Sequence, residues 1–166
     1  SVIPAASCVI GNLRLDSEDL EFDFLSLVGT LPIMLGDIRE IPEEKRDWMR
    51  EWSDWLQEKQ GIHDYMSYRQ DLRGFGEPME GHWDGWQRIN VETQSGGLVG
   101  VFRQGSNENK RFVTVEGLSD RKTYEVIDGS TYDTVGVFTG DELRSNGFPV
   151  EMDNEYQGKV FEVIIQ

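Results

Sequence analysis

Trp83-Asp84-Gly85-Trp86-Gln87-Arg88-Ile89-Asn90 is where the chain changes period. Upstream, apolar residues recur at the three- and four-residue spacing of helices; downstream they alternate as in strands. Trp83 and Trp86 stand an odd number of positions apart, so a strand sends them to opposite faces and at least one of them into a core. From here the pattern predicts strands over 83–90, 98–104, 111–116, 123–127, 134–139, 149–152 and 159–165. Ser95-Gly96-Gly97, Gly105-Ser106-Asn107, Gly117-Leu118-Ser119-Asp120 and Asp128-Gly129-Ser130 separate them. Short strands at this interval with turn residues between them indicate an antiparallel sandwich. One insertion, residues 141–147, reads as a single helical turn closed by Gly147. These strands can enclose a core without help, so residues 83–166 are expected to fold as a unit.

Before this run, residues 61–82 carry Gly74, Gly76, Pro78 and Gly81 and a possible short helix around Ile62, Tyr65, Met66 and Arg69. Long irregular connections are usually functional or linking. Asp71, Arg73 and Glu77 accompany Tyr65, Tyr68 and Phe75, a mixture that binds sugars by stacking and fixed hydrogen bonds and that also simply packs loops. Residues 42–60 form a helix: Pro42 suits its first turn, Glu43 and Glu44 sit at its positive end, and Trp48, Trp52, Trp55, Leu56 and Lys59 share one side. The indole stripe is read as core.

At the N-terminus, Val2-Ile3-Pro4-Ala5-Ala6 is a candidate strand and Asp16-Ser17 a helix N-cap followed by Glu18, Asp19 and Glu21. Leu20, Phe24, Leu27, Val28 and Leu31 then recur at helical spacing. Leu31-Pro32-Ile33-Met34-Leu35 is a continuous apolar run of the kind buried on both faces, ended by Gly36-Asp37. The result is a β-α-β-α segment, too small to cover both faces of a parallel sheet. Its apolar face, from Leu20 to Trp55, is therefore expected to meet a missing barrel, another copy of the chain, or the sandwich.

Thirty-one acidic against sixteen basic residues give a net charge of −15, which repels nucleic acid and anionic membranes. No run approaches the roughly 20 apolar residues of a membrane span, and the first residues lack a signal peptide's basic head and apolar stretch. The lone Cys8 excludes an internal disulfide and reads as a small buried apolar residue. His63 and His82 are the only histidines and have no cysteine nearby, so neither a metal nor another cofactor is expected. No Gly-x-Ser-x-Gly turn marks a nucleophile. Asp37, directly after the apolar run, stands where strand-end carboxylates of α/β enzymes face substrate; the alternative is a turn residue or an ion pair with Arg39.

This order of elements resembles the end of an α-galactosidase-like glycoside hydrolase. The resemblance rests on Leu31 to Asp37 as a last barrel strand, on Trp83 to Asn90, and on Ser95-Gly96-Gly97-Leu98-Val99-Gly100-Val101-Phe102-Arg103-Gln104-Gly105. In that family a W-D-G-x strand precedes a Gly-Gly turn and a V-F-R strand at the opening of the C-terminal sandwich. It spans nearly the whole chain, with motifs that are structural rather than catalytic. The fold it implies is an α/β barrel fragment followed by an all-β antiparallel sandwich: residues 1–60 as the last barrel units, 61–82 as a linking loop and 83–166 as the sandwich. The family's retaining mechanism uses an aspartate nucleophile and an aspartate acid/base on earlier barrel strands, so no catalytic residue is carried over; Asp37 alone transfers, as a substrate-binding residue. The implied partners are the missing N-terminal barrel portion or another chain, and an oligosaccharide substrate. Two other readings stand beside this one: a carbohydrate-binding module stacking sugars on an exposed Trp86 or Tyr132, and a purely structural interaction domain.

Overall fold

The computed structural model describes residues 12–17, 19–28 and 33–166. Strand β1 (Asn12–Arg14) pairs in parallel with β2 (Ile33–Leu35), and helix α1 (Leu20–Ser26) lies between them in the chain. This is the expected β-α-β unit with a different first strand. The strand read at Val2 to Ala6 falls outside the described residues, as do Cys8, Glu18, Leu31 and Pro32. The helix also starts later than read, at an Asp19 N-cap. Asp16 is held by the Arg14 guanidinium at 3.0 Å, and the Ser17 N–H donates to the Arg14 carbonyl, so both residues close a turn instead. Leu35 is 45% exposed, against the expectation of a strand covered on both faces. The reason is topological: among the described residues β2 has β1 as its sole neighbour.

A 3₁₀ turn (Ile38–Glu40) leads into α2 (Glu43–His63), which Pro42 precedes as N-cap and Asp64, in the left-handed conformation, ends. A second 3₁₀ turn (Tyr65–Ser67) stands where a short helix was expected, and Gln70–Asp71 forms a short strand, β3. The antiparallel region follows: β4 (His82–Ile89), β5 (Gly96–Gln104), β6 (Lys110–Val113), β7 (Thr123–Asp128), β8 (Thr134–Thr139), the short helix α3 (Gly140–Ser145), β9 (Phe148–Glu151) and β10 (Tyr156–Ile165). A capping box between Thr139 and Glu142 opens α3, and Gly147, at φ 71°, supplies the positive dihedral that closes it.

The main sheet has the order β3-β4-β5-β10-β7-β8, and β6 pairs with β9 in a second, two-stranded sheet. All these pairings are antiparallel. Gly96 and Gly97, read as a turn, belong to β5, where they lie between β4 and β10. A β-carbon at Gly97 would run into the Arg88 carbonyl and one at Gly96 into that of Val163, so glycine is what lets the three strands close at this end. The turn itself is made by the Asn90 side chain, whose Oδ1 accepts the N–H groups of Glu92 and Thr93.

Alternation along the central strands sorts side chains into two cores. Trp83, Val99, Val101, Tyr124, Val126, Phe161 and Val163 face the small sheet and α3, packing on Val113, Leu143, Phe148 and Val150. Trp86, Leu98, Phe102 and Val160 face the other way, onto Leu25, Val28, Trp52, Trp55 and Tyr65. Both tryptophans of the opening run are therefore buried, on opposite faces. The indole stripe of α2 meets the sandwich itself, one of the three expected partners. A smaller cluster of Leu13, Leu15, Leu20, Ile41 and Met49 joins α1 and α2 to β1.

Candidate functional site

Asp37 follows β2 and a Gly36 with φ of 130°. Its carboxylate accepts the Arg39 backbone N–H at 2.9 Å and the Arg39 guanidinium at 2.6–3.1 Å. The bonds from the Arg39 side chain, then from its backbone, hold the Asp37 carboxyl below the usual range. The pairing with Arg39 that the sequence offered for Asp37 is present.

A cleft of about 720 Å³ opens between α1, the loop after β3 and the outer end of β4 and β5. Asp71, Phe75 and Glu77 of the loop group line it; Arg73 instead pairs with Glu116 at 3.2 Å, Tyr65 is buried, and Tyr68 borders a smaller neighbouring pocket. The floor is built by the main sheet. Positions two apart on a strand share a face, so Asp84 stands beside Trp86 on β4, and Phe102 and Gln104 stand together on β5. All four line the cleft. Asp84 pairs with Phe102 across the ladder and accepts a hydrogen bond from the Gln104 amide. At 7% exposure its carboxyl is pushed up by burial, which outweighs the lowering by Gln104. Burying a carboxyl against a neutral amide is costly unless further donors reach it. Phe22 of α1 meets Phe102 edge to face at 5.5 Å, and Arg69 pairs with Asp71 at 3.0 Å on the rim. The Trp86 indole N–H has no partner among the described residues.

The same alternation could have exposed this floor in the sequence, since W-D-G-W read as a strand places a carboxylate next to an indole on one face. What it could not supply was the loop and the helix that turn the face into a cleft. Trp86 itself is 5% exposed, sits under the Arg88 guanidinium at 5.7 Å, and crowds against Gly100, so it is no open stacking platform. Tyr132 is 63% exposed, at φ 62°, beside a second groove that includes Trp55 and Glu51.

A buried polar cluster ties helix to sheet. His63 Nε2 meets Glu162 Oε1 at 2.8 Å, and Lys59 Nζ meets Glu162 Oε2 at 3.0 Å. Burial alone would raise Glu162, but hydrogen bonds from His63 and Lys59 outweigh it and hold the carboxyl below its ordinary value. The Asn90 amide donates to the His63 carbonyl at 2.9 Å, closing the end of α2. Arg88, 1% exposed, donates to the Met66 carbonyl at 3.0 Å and is lowered to about 10 by burial. Arg103 holds the carbonyls of Ser106, Met152 and Asn154, fastening two loops to β5. Among the described residues no group of three or more His, Cys, Asp or Glu is placed to hold a metal ion, and no helix is long and apolar enough to cross a membrane.

Residues 83–163 match the glycosyl hydrolase family 36 C-terminal domain. Among solved structures, the GH36 α-galactosidase AgaA from Geobacillus stearothermophilus superposes at a TM-score of 0.78 with 16% identity over 98% of this chain and 22% of that one. The α-galactosidase from Lactobacillus brevis gives 0.74 with 15% identity over 98% and 23%, and the galactosidase domain of the α-galactosidase-sucrose kinase AgaSK gives 0.74 with 15% identity over 98% and 22%. No curated protein matches the chain. The chain spans about a fifth of the length of these enzymes, and at such identities the likeness is one of fold. From β4 into β10, taking in both strands of the small sheet, residues 83–163 are thus similar to the C-terminal domain of glycosyl hydrolase family 36.

Proposed function

We propose that the chain is the C-terminal part of a retaining glycoside hydrolase acting on α-linked sugars, as its α-galactosidase relatives do. In this reading residues 1–60 are the closing units of a TIM-type barrel, 61–82 link them to the sandwich, and 83–166 are an accessory sandwich that steadies the barrel. The observation that carries it is the parallel β1-α1-β2 unit followed by α2 and then by a region that matches the family 36 C-terminal domain. A parallel pair with an exposed Leu35 is a poor end state for a sheet, because parallel strands are normally flanked and covered. Further strands from the rest of a barrel, on the same or another chain, would flank it.

Asp37 then lies at the carboxyl end of a barrel strand, the end at which such barrels bind substrate. The pair of carboxylates for retaining chemistry, about 5–5.5 Å apart in such enzymes, would come from the earlier strands. Arg39 keeps Asp37 ionised and oriented, which suits an acceptor for sugar hydroxyls. The test is to assay the chain alone, and then joined to the polypeptide carrying the rest of the barrel, on nitrophenyl α-galactoside. The chain alone should show no turnover; the completed protein should hydrolyse with retention, and Asp37→Asn should lower kcat/KM roughly 10- to 100-fold, as expected for loss of a charge-assisted hydrogen bond. Hydrolysis by the isolated chain, or a completed barrel inert toward every α-glycoside, would overturn the assignment.

A further inference from the structure

We propose that the cleft between α1, the 71–78 loop and the β4–β5 floor is a binding site for an uncharged, hydroxyl-rich ligand, a sugar unit of an oligosaccharide. The inference goes beyond the hydrolase reading, since it concerns binding by this chain alone.

Three features of the lining select that chemistry. First, the cleft offers acceptors and donors together. Asp84 has a buried carboxyl whose protein partner is the Gln104 amide, and the rim carries the Arg69 guanidinium, which an Asp71 contact at 3.0 Å leaves with further N–H groups. A hydroxyl donates to the first and accepts from the second. An ammonium cannot accept, and a carboxylate or fully ionised phosphate group cannot donate. Second, the charge balance turns anions away: among the described residues Asp71, Glu77 and Asp84 line the cleft against the single cation Arg69, on a chain of net charge −15. Third, Phe22, Phe75 and Phe102 supply apolar wall on either side of these polar groups. Apolar faces combined with a few fixed polar groups fit a pyranose, which has C–H faces and an equator of hydroxyls. The volume, about 720 Å³, is in the range of small-molecule sites and exceeds what a single sugar ring needs.

The state of Asp84 itself calls for such a ligand. Its carboxyl is desolvated with no cation paired to it among the described residues, and incoming hydroxyl donors would relieve that cost.

The experiment is calorimetric titration of the whole 166-residue chain with raffinose at millimolar concentration, with spermidine and citrate as cationic and anionic controls. Two variants locate the site. Asp84→Asn keeps the shape of the floor and removes its charge. Gly76→Trp fills the cleft from the loop, where a β-carbon meets nothing within 4 Å, so the chain tolerates the residue. Thermal melting establishes that each variant is folded, and Gly76→Trp decides the matter if Asp84→Asn is not. The expected result is saturable raffinose binding, weakened roughly tenfold or more by Asp84→Asn and abolished by Gly76→Trp, with no binding of citrate. Absence of raffinose binding, binding that survives Gly76→Trp, or preference for spermidine would each overturn the proposal. None of these outcomes touches hydrolysis by a completed barrel, so the two readings fail separately.

Discussion

Trp52→Ala should unlock the helix layer from the sheet. Trp52 is 6% exposed in the middle of α2, packed with Trp86, Leu98, Phe102 and Val160 of the sheet and set edge to face on Trp55 at 5.3 Å. An indole buries about 150–250 Å², which at about 25 cal/mol per Å² is worth roughly 4–6 kcal/mol as an upper bound. Replacement of a buried Trp by Ala in measured cores costs about 3–5 kcal/mol, and the two ranges overlap. For a chain of this size each kcal/mol moves the midpoint by roughly 2–4 °C, so Tm should fall by about 6–20 °C. Trp48→Ala, at a partly buried position of the same stripe, serves as the internal comparison and should cost less. Circular dichroism melting and urea titration would read both. A loss below about 1 kcal/mol for Trp52→Ala would show that the helix does not hold the sheet as described, and would remove the reason for treating α2 as the cover of its second face.

Acid should weaken the chain through Glu162. Its folded-state value is depressed, so its contribution is complete above the ordinary carboxylate value of about 4.3 and fades as pH falls through the lower folded value. Glu162→Gln should flatten the acid limb of a stability–pH curve measured by urea unfolding; parallel curves for the two proteins would refute the linkage. A chain cut to residues 81–166 should lose cooperative unfolding and bind a hydrophobic dye, because it uncovers Trp86, Leu98, Phe102 and Val160, each worth roughly 1.5–3 kcal/mol when buried. Their sum is comparable to the ~5–15 kcal/mol total stability of a typical domain. An unchanged, sharp melting transition in the shortened chain would contradict this and restore the sandwich as a self-sufficient folding unit.

Alternation and turn residues were enough to place the strands from Trp83 onward, because a period of two is a local property of the backbone. The same rule put Trp83 and Trp86 on opposite faces, and helical spacing put Trp48, Trp52 and Trp55 on one side of α2. These follow from geometry within a few residues. Errors gathered where a local signal has two outcomes. Asp16 can cap a helix or pair with Arg14; glycines at 96 and 97 can turn a chain or fit inside a crowded ladder. For the glycines the outcome depends on neighbours far along the chain, such as the Val163 carbonyl that excludes a side chain at 96. The candidate site shows the same division. That Asp84 and Trp86 share a face was written in their spacing, but the cleft needs Phe22 from α1 and Phe75 and Glu77 from the loop brought over that face. The cluster of Lys59, His63 and Glu162 joins α2 to β10, with His63 and Glu162 99 positions apart, and carries no periodic mark. Sequence determined the period, the faces and the charge; the tertiary structure alone decided which faces meet, because burial is settled by contacts between segments that local patterns cannot pair.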